Sequence, residues 1–230
     1  MKRNPLFLAL AAVLLFATTA AAQPGYGSDN SLRFRVGMFS PDGDSAYWDE
    51  NFTTFTGDED DFRDASLGVD FLYGLGSGGV LLSADFYESV EEQAYRDFVD
   101  FDGFDIVHET RLSVNSVTLG YMFQFARGSR VSPYVGAGGG VYLWELEERG
   151  DFIDFFPVDP ELFNAVFEDD GEAFGWYWLA GLEFAVSPQW GAFVEARGQD
   201  VDDELSGDFD GFGDIDLSGL NVAGGVSFTF

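Results

Sequence analysis

The chain has no cysteine, a single histidine and, after Lys2, no lysine. Without cysteine there is no disulfide and no thiol for lipid attachment, so stability must come from hydrogen bonding and packing. One histidine, His108, leaves little for general-base chemistry. Beyond residue 22 no apolar run reaches the roughly 18 residues that a membrane-spanning helix needs. Positive charge is scarce, with 11 Lys plus Arg against 41 Asp plus Glu and a formal net charge of −30. That balance argues against nucleic acid and acidic polymers as partners. It would also suit a disordered chain, but an aromatic content of 17% argues against disorder for the whole.

What is present begins with an export signal. Lys2 and Arg3 precede an uncharged stretch from Leu6 to Phe16, and Ala20-Ala21-Ala22 supplies a cleavage pattern ahead of Gln23. Residues 1–22 are therefore expected to be a removed signal peptide, 23–30 a short N-terminal segment, and 31–230 one domain.

Within that domain, eight segments alternate with period two. In the last, Leu220, Val222, Gly224, Val226, Phe228 and Phe230 share one face, and Gly219, Asn221, Ala223, Gly225, Ser227 and Thr229 share the other. The apolar face is either the core of a soluble sandwich or the lipid face of a barrel. The other segments run Leu32–Ser40, Ser66–Gly74, from Val80, Val117–Phe125, Tyr134–Trp144, Phe174–Val186 and Trp190–Gln199. Upstream of Val117 the parity fails around Arg111 to Ser116, which predicts either a bulge or strand projecting beyond a membrane.

Connections alternate short and long, and the four long ones hold 36 of the 41 acids. The middle short turn instead carries Arg127 and Arg130. A soluble meander has no reason for this segregation, whereas an outer-membrane barrel has short turns on one side and long loops on the other. Aromatic residues bracket the apolar faces. Tyr73, Tyr121, Phe123, Phe125, Tyr134, Trp190, Phe228 and Phe230 lie toward the short turns, and Trp144, Trp176 and Trp178 toward the long loops. Two such girdles suit two lipid–water boundaries.

Two stretches, Pro133-Tyr134-Val135-Gly136-Ala137-Gly138-Gly139-Gly140-Val141 and Ala223-x-Gly225-x-x-Phe228-x-Phe230, carry a family likeness. The chain resembles the small eight-stranded outer-membrane β-barrel family that includes the transmembrane part of OmpA and the OmpX- and OmpW-like proteins. The resemblance implies an all-β fold, an eight-stranded antiparallel up-and-down transmembrane β-barrel across 31–230, with 23–30 in the periplasm and the acidic loops outside. It implies residence in the cell outer membrane, outer-membrane lipid as surroundings, a monomer, and no cofactor. It also implies that Gly225, Phe228 and Phe230 form the signal read by the barrel-assembly machinery, although Ala223 stands where that pattern usually has a polar residue. The last strand must then close the ring against the first, because a barrel in lipid cannot leave an edge.

Candidate sites follow from the inward faces and the loops. Arg33, Arg35, Asp70, Asp85, Glu183, Glu195 and Arg197 would point into a lumen only wide enough for side chains. They form either a salt-bridged plug or a narrow polar path. Clustered acids such as Asp58-Glu59-Asp60-Asp61, Glu168-Asp169-Asp170 and Asp200 to Asp214 would bind divalent cations or simply be a solvated, salt-adapted surface. Phe98, Phe101, Phe104, Phe152, Phe155, Phe156, Phe163 and Phe167 either pack the loops or receive an apolar ligand. Residues 160–167 are expected to form a short helix capped by Asp159. His108, with Glu109, Thr110 and Ser113 nearby, is the one place for catalysis, and its spacing forms no nucleophile–base–carboxylate arrangement. The expectation is a non-enzymatic surface or structural barrel. The alternatives are a narrow channel for small or hydrophobic molecules, as in OmpW-like proteins, and more distantly a lipid-modifying enzyme.

Overall fold

Period-two alternation only buries one face if strands pair side by side, and here they pair into a ring. The computed structural model describes residues 30–155 and 160–230. The expected signal peptide 1–22, most of the 23–30 segment, Phe156 and the expected helix cap Asp159 lie outside those residues. In chain order the elements are β1 (Ser31–Pro41), α1 (Ala46–Thr54), β2 (Asp64–Leu75), β3 (Gly78–Val99), β4 (Asp105–Gln124), β5 (Val131–Asp154) and β6 (Glu161–Ala185). They are followed by β7 (Trp190–Asp200), β8 (Asp202–Glu204), a 3-10 turn (Gly207–Phe209), β9 (Asp214–Asp216) and β10 (Gly219–Thr229). β1 to β7 and β10 form a closed antiparallel barrel in sequence order, and β8 with β9 forms a small ribbon above it. The predicted closure is present: β10 pairs β1 from Ser31↔Thr229 to Pro41↔Gly219.

The strands are unequal. β1, β2, β7 and β10 have 11 or 12 residues, enough to cross a hydrocarbon layer when tilted, whereas β3 to β6 have 20 to 25. The four long strands are neighbours, so their outer halves continue the wall on one side only. α1, the β8–β9 ribbon and the 3-10 turn pack on that wall from within.

At this level the barrel reverses its polarity. On the outer face Phe86 gives way to Glu88, Val117 to Asn115 and Ser113, Leu143 to Glu145, and Phe174 to Glu172. On the inner face charged and small residues give way to a buried core that includes Trp48, Phe62, Leu112, Val114, Trp144, Leu146 and Leu217. Below the boundary the outside meets lipid and the apolar side chains belong there. Above it the outside meets water, so the apolar side chains turn inward.

Three expectations are corrected or resolved by this arrangement. β4 pairs β3 without a break from Phe123↔Gly78 to Val107↔Ala94, so there is no bulge at Arg111 to Ser116, and the strand projects past the lipid. Residues 161–167 are strand, not helix: Phe163 pairs Phe152, and the β5 ladder satisfies their backbone. Leu162, Phe163, Val166 and Phe167 suit a helical stripe, but in a two-sided strand they split between faces. Tyr134 and Trp144 do not belong to the girdles, since both are buried and inward.

An ion-paired lumen and an aromatic chamber above it

The barrel register sets the lumen. Arg33 on β1 stands directly opposite Asp70 on β2, and Gly225 on β10 opposite Arg35. Arg35 is the hub, with its guanidinium nitrogens 3.1 Å from Asp70, 2.5 Å from Asp85 and 2.9 Å from Glu195. Arg197 reaches Asp70 at 3.5 Å, Asp85 at 3.1 Å and Glu195 at 3.2 Å. Arg33 reaches Glu195 at 3.2 Å and Asp70 at 4.0 Å. Every arginine therefore bridges at least two carboxylates, which is how charge is tolerated away from water. These side chains are 0–7% exposed apart from Asp85 at 19%.

Aromatic side chains complete the cross-section. Arg33 donates to Tyr134 Oη at 2.6 Å, and Tyr134 donates to Glu195 at 3.0 Å. Arg33 also lies 4.0 Å over the Phe193 ring and Arg197 4.9 Å over the Tyr177 ring. Gly68 and Gly181 make room for this crowd: a Cβ at the first would overlap Arg35 and at the second Tyr134. Within this cluster, Tyr134 is a residue that sequence reasoning missed. Its parity with Gly136, Gly138 and Gly140 was the available signal. Glu183 does not join the ion pairs; it accepts from Gln124 at 3.0 Å and Ser227 at 2.5 Å, toward the short-turn end. Gly225 lies under the Phe193 ring, and Phe228 contacts Trp190 and Phe230 at ring separations of 5.0 and 6.0 Å.

Above the lipid level the interior opens into a cavity of about 350 Å³ among α1, β3, β5, β6 and the 3-10 turn. Its walls are aromatic. Phe55 meets Tyr95 at 4.7 Å, Phe152 meets Phe167 at 4.9 Å, and Phe209 meets Tyr47 at 5.9 Å between ring centres. Glu148, on β5, lines this cavity and is only 7% exposed. Its Oε1 accepts from Tyr47 Oη at 2.7 Å and Asn51 Nδ2 at 3.3 Å. Burial raises the Glu148 carboxyl above its ordinary range, with the two hydrogen bonds opposing. Asn51 in turn accepts from Gln93 at 2.9 Å, and Gln93 accepts from Thr110 at 2.7 Å.

The remaining candidates have plain positions. His108 is buried between Phe55 and Phe152, at 4.2 and 5.1 Å, and neither ring nitrogen has a hydrogen-bond partner among the described residues. Burial lowers its pKa to about 4. Thr110 is spent on Gln93, while Glu109 and Ser113 point outward, on the opposite face of β4 from His108. In the first loop, Asp61 accepts from the Asp58 amide, Asp58 from the Asp60 amide, and Asp60 pairs with Arg63. In the other loops, Asp169 accepts from Ser206, and Asp208 from the Glu168 amide. Phe98 packs on Phe155 at 5.1 Å, whereas Phe101 is fully open at the β3–β4 tip.

Comparison with known proteins places this architecture. The outer membrane protein beta-barrel domain matches residues 8–230. Among solved structures the chain is similar to OprG of Pseudomonas aeruginosa, at 15% identity and a TM-score of 0.53, covering 89% of this chain and 96% of that one. It is also similar to Neisserial surface protein A, at 11% identity and a TM-score of 0.51, covering 89% and 99%. No curated protein matches it by sequence. With eight strands closed in a ring, an apolar belt facing lipid and a family match over almost its whole length, the chain belongs to the outer membrane protein beta-barrel family and resides in the outer membrane.

Proposed function

We propose that this protein is a non-enzymatic surface barrel whose lumen is closed and whose working part is the acidic extension outside the membrane. The observation that carries this reading is the Arg33–Arg35–Arg197 cluster bridging Asp70, Asp85 and Glu195 across the whole cross-section. An eight-stranded barrel has room for side chains or for a path, and here the side chains take the room. The absence of catalysis in this reading is supported by His108, which is buried among phenylalanines and faces away from Ser113.

The rest of the reading concerns export and surroundings. A signal cleaved after Ala22 exports the chain, and the assembly machinery reads Gly225, Phe228 and Phe230. The barrel sits as a monomer in outer-membrane lipid, with divalent cations screening its acidic loops from anionic head groups. Planar-bilayer recording tests the central claim. The purified barrel is expected to give no reproducible conductance steps where a porin gives them. Reproducible openings would replace the plug by a narrow channel.

A further inference from the structure

We infer that the aromatic chamber above the lipid level is a binding site for a small organic ammonium ion, with Glu148 as its counter-charge. Three independent features converge there. The walls are mainly aromatic, from Phe55 on the α1 side through Tyr95, Phe152 and Phe167 to Phe209 and Tyr47. Aromatic rings attract large, weakly hydrated cations through their quadrupoles. The cavity, at about 350 Å³, is at the small end of the range for ligand pockets, roughly 300–1,000 Å³. Finally, the carboxylate that lines it, Glu148, is only 7% exposed and has no cationic partner among the described residues.

The last feature separates this site from the rest of the acidic surface. Glu148 spends Oε1 on Tyr47 and Asn51, and no Lys or Arg pairs with its carboxylate among the described residues. The other carboxylates at the cavity, Glu50 and Asp208, are exposed, and among the described residues no Lys or Arg lines it. Arg149, next in sequence, points to the other side of β5 and pairs with Glu147 at 3.0 Å. A buried carboxylate without a counter-ion is costly, and an entering cation removes that cost.

The chemistry of the walls selects the kind of cation. A hard ion such as Ca²⁺ needs six to eight oxygen ligands, and no group of three or more acids among the described residues is arranged to hold a metal. A neutral hydrophobe would fit the walls but would gain nothing from Glu148. An alkyl- or arylammonium ion uses both.

The test is a matched pair. The full chain in a maltoside micelle, chosen because a phosphocholine detergent carries a quaternary ammonium itself, is titrated with benzyltrimethylammonium and with its uncharged isostere neopentylbenzene. Trp48, 4.9 Å from Tyr47, reports by fluorescence. The cation is expected to bind at least about ten-fold tighter than the isostere. Glu148→Gln keeps the shape and an acceptor for Tyr47, so it should fold and yet lose at least about ten-fold in cation affinity. Phe209→Leu should lose several-fold. Equal affinities for the pair, full affinity in Glu148→Gln, competition by equimolar Ca²⁺, or no saturable response at millimolar cation would each overturn the proposal.

Discussion

At the scale of single residues, two buried basic side chains behave in opposite ways. Arg35 is charged and answered by Asp70, Asp85 and Glu195. Arg35→Ala leaves those carboxylates to share the remaining arginines, and breaking a buried pair from one side costs about 3–5 kcal/mol. For a chain of this size that is a fall of roughly 10 °C in the melting temperature in detergent. An unchanged melting temperature would mean that Arg35 is not paired in the folded barrel. His108 is instead buried and neutral, with its pKa lowered to about 4 from an ordinary value near 6.5. The folded state then holds fewer protons than the unfolded chain in that interval. Its contribution to stability is complete above about pH 6.5 and is lost as pH falls toward 4. His108→Phe keeps a ring between Phe55 and Phe152 and removes two unpartnered nitrogens. The variant should be at least as stable as the parent at pH 7.5 and should gain on it by about 2–3 kcal/mol at pH 4.5. Parallel melting curves over that range would rule out a buried, neutral His108.

At the scale of elements, the sequence was legible where one rule applied throughout and misleading where the rule changed midway. β1, β2, β7 and β10 lie within the lipid layer, so their alternation has one meaning, and both their facing and the β1–β10 closure could be read directly. β3 to β6 cross the lipid surface, and there the same apolar parity stops meaning outside and starts meaning inside. In β4 the exchange falls between Val117, which faces lipid, and Val114, which is buried, and this is why Arg111 to Ser116 looked like a break. In β6 the outer half has apolar residues on both faces, because Leu162 and Val166 remain on the outside, and such a pattern suits a helix as well. The lumen charges were legible because alternation in a closed barrel leaves them nowhere else to point. Tyr134 and the chamber around Glu148 were not, since they depend on which strands outgrow the membrane and what packs within them.

The absence of cysteine makes the boundary itself measurable. Glu109, Arg111, Ser113, Val117 and Leu119 all lie on the outer face of β4, from the acidic extension down into the apolar belt. As single cysteines in intact cells, positions 109, 111 and 113 should react with a charged, membrane-impermeant maleimide, and 117 and 119 should not. Labelling at 119 as fast as at 109 would displace the boundary.

At the scale of the whole molecule, two electrostatic regimes share one barrel, and salt distinguishes them. Inside, opposite charges are in contact and screened from solvent, so ionic strength changes their interaction little. Outside, 36 of 41 acids are gathered in the long connections and outer strand halves, where Arg63, Arg96, Arg111 and Arg149 are the only Lys or Arg residues. Two of these pair with neighbouring acids, Arg63 with Asp60 and Arg149 with Glu147, while Arg96 donates to the Phe52 and Gly57 carbonyls. The folded extension therefore holds like charges closer together than the unfolded chain does, and this repulsion opposes folding. Raising the ionic strength from about 0.01 to 1 M shortens the screening length from about 30 to about 3 Å. The melting temperature of the intact protein should rise with NaCl, by something on the order of 5 °C. If the lumen is closed as proposed, the difference between Arg35→Ala and its parent should stay constant over the same series, because that penalty is then shielded from ions. If the difference shrinks with salt, water and ions reach the Arg35 cluster and the lumen is open; if it holds while both melting curves move upward, the plug and the acidic extension are separate electrostatic compartments.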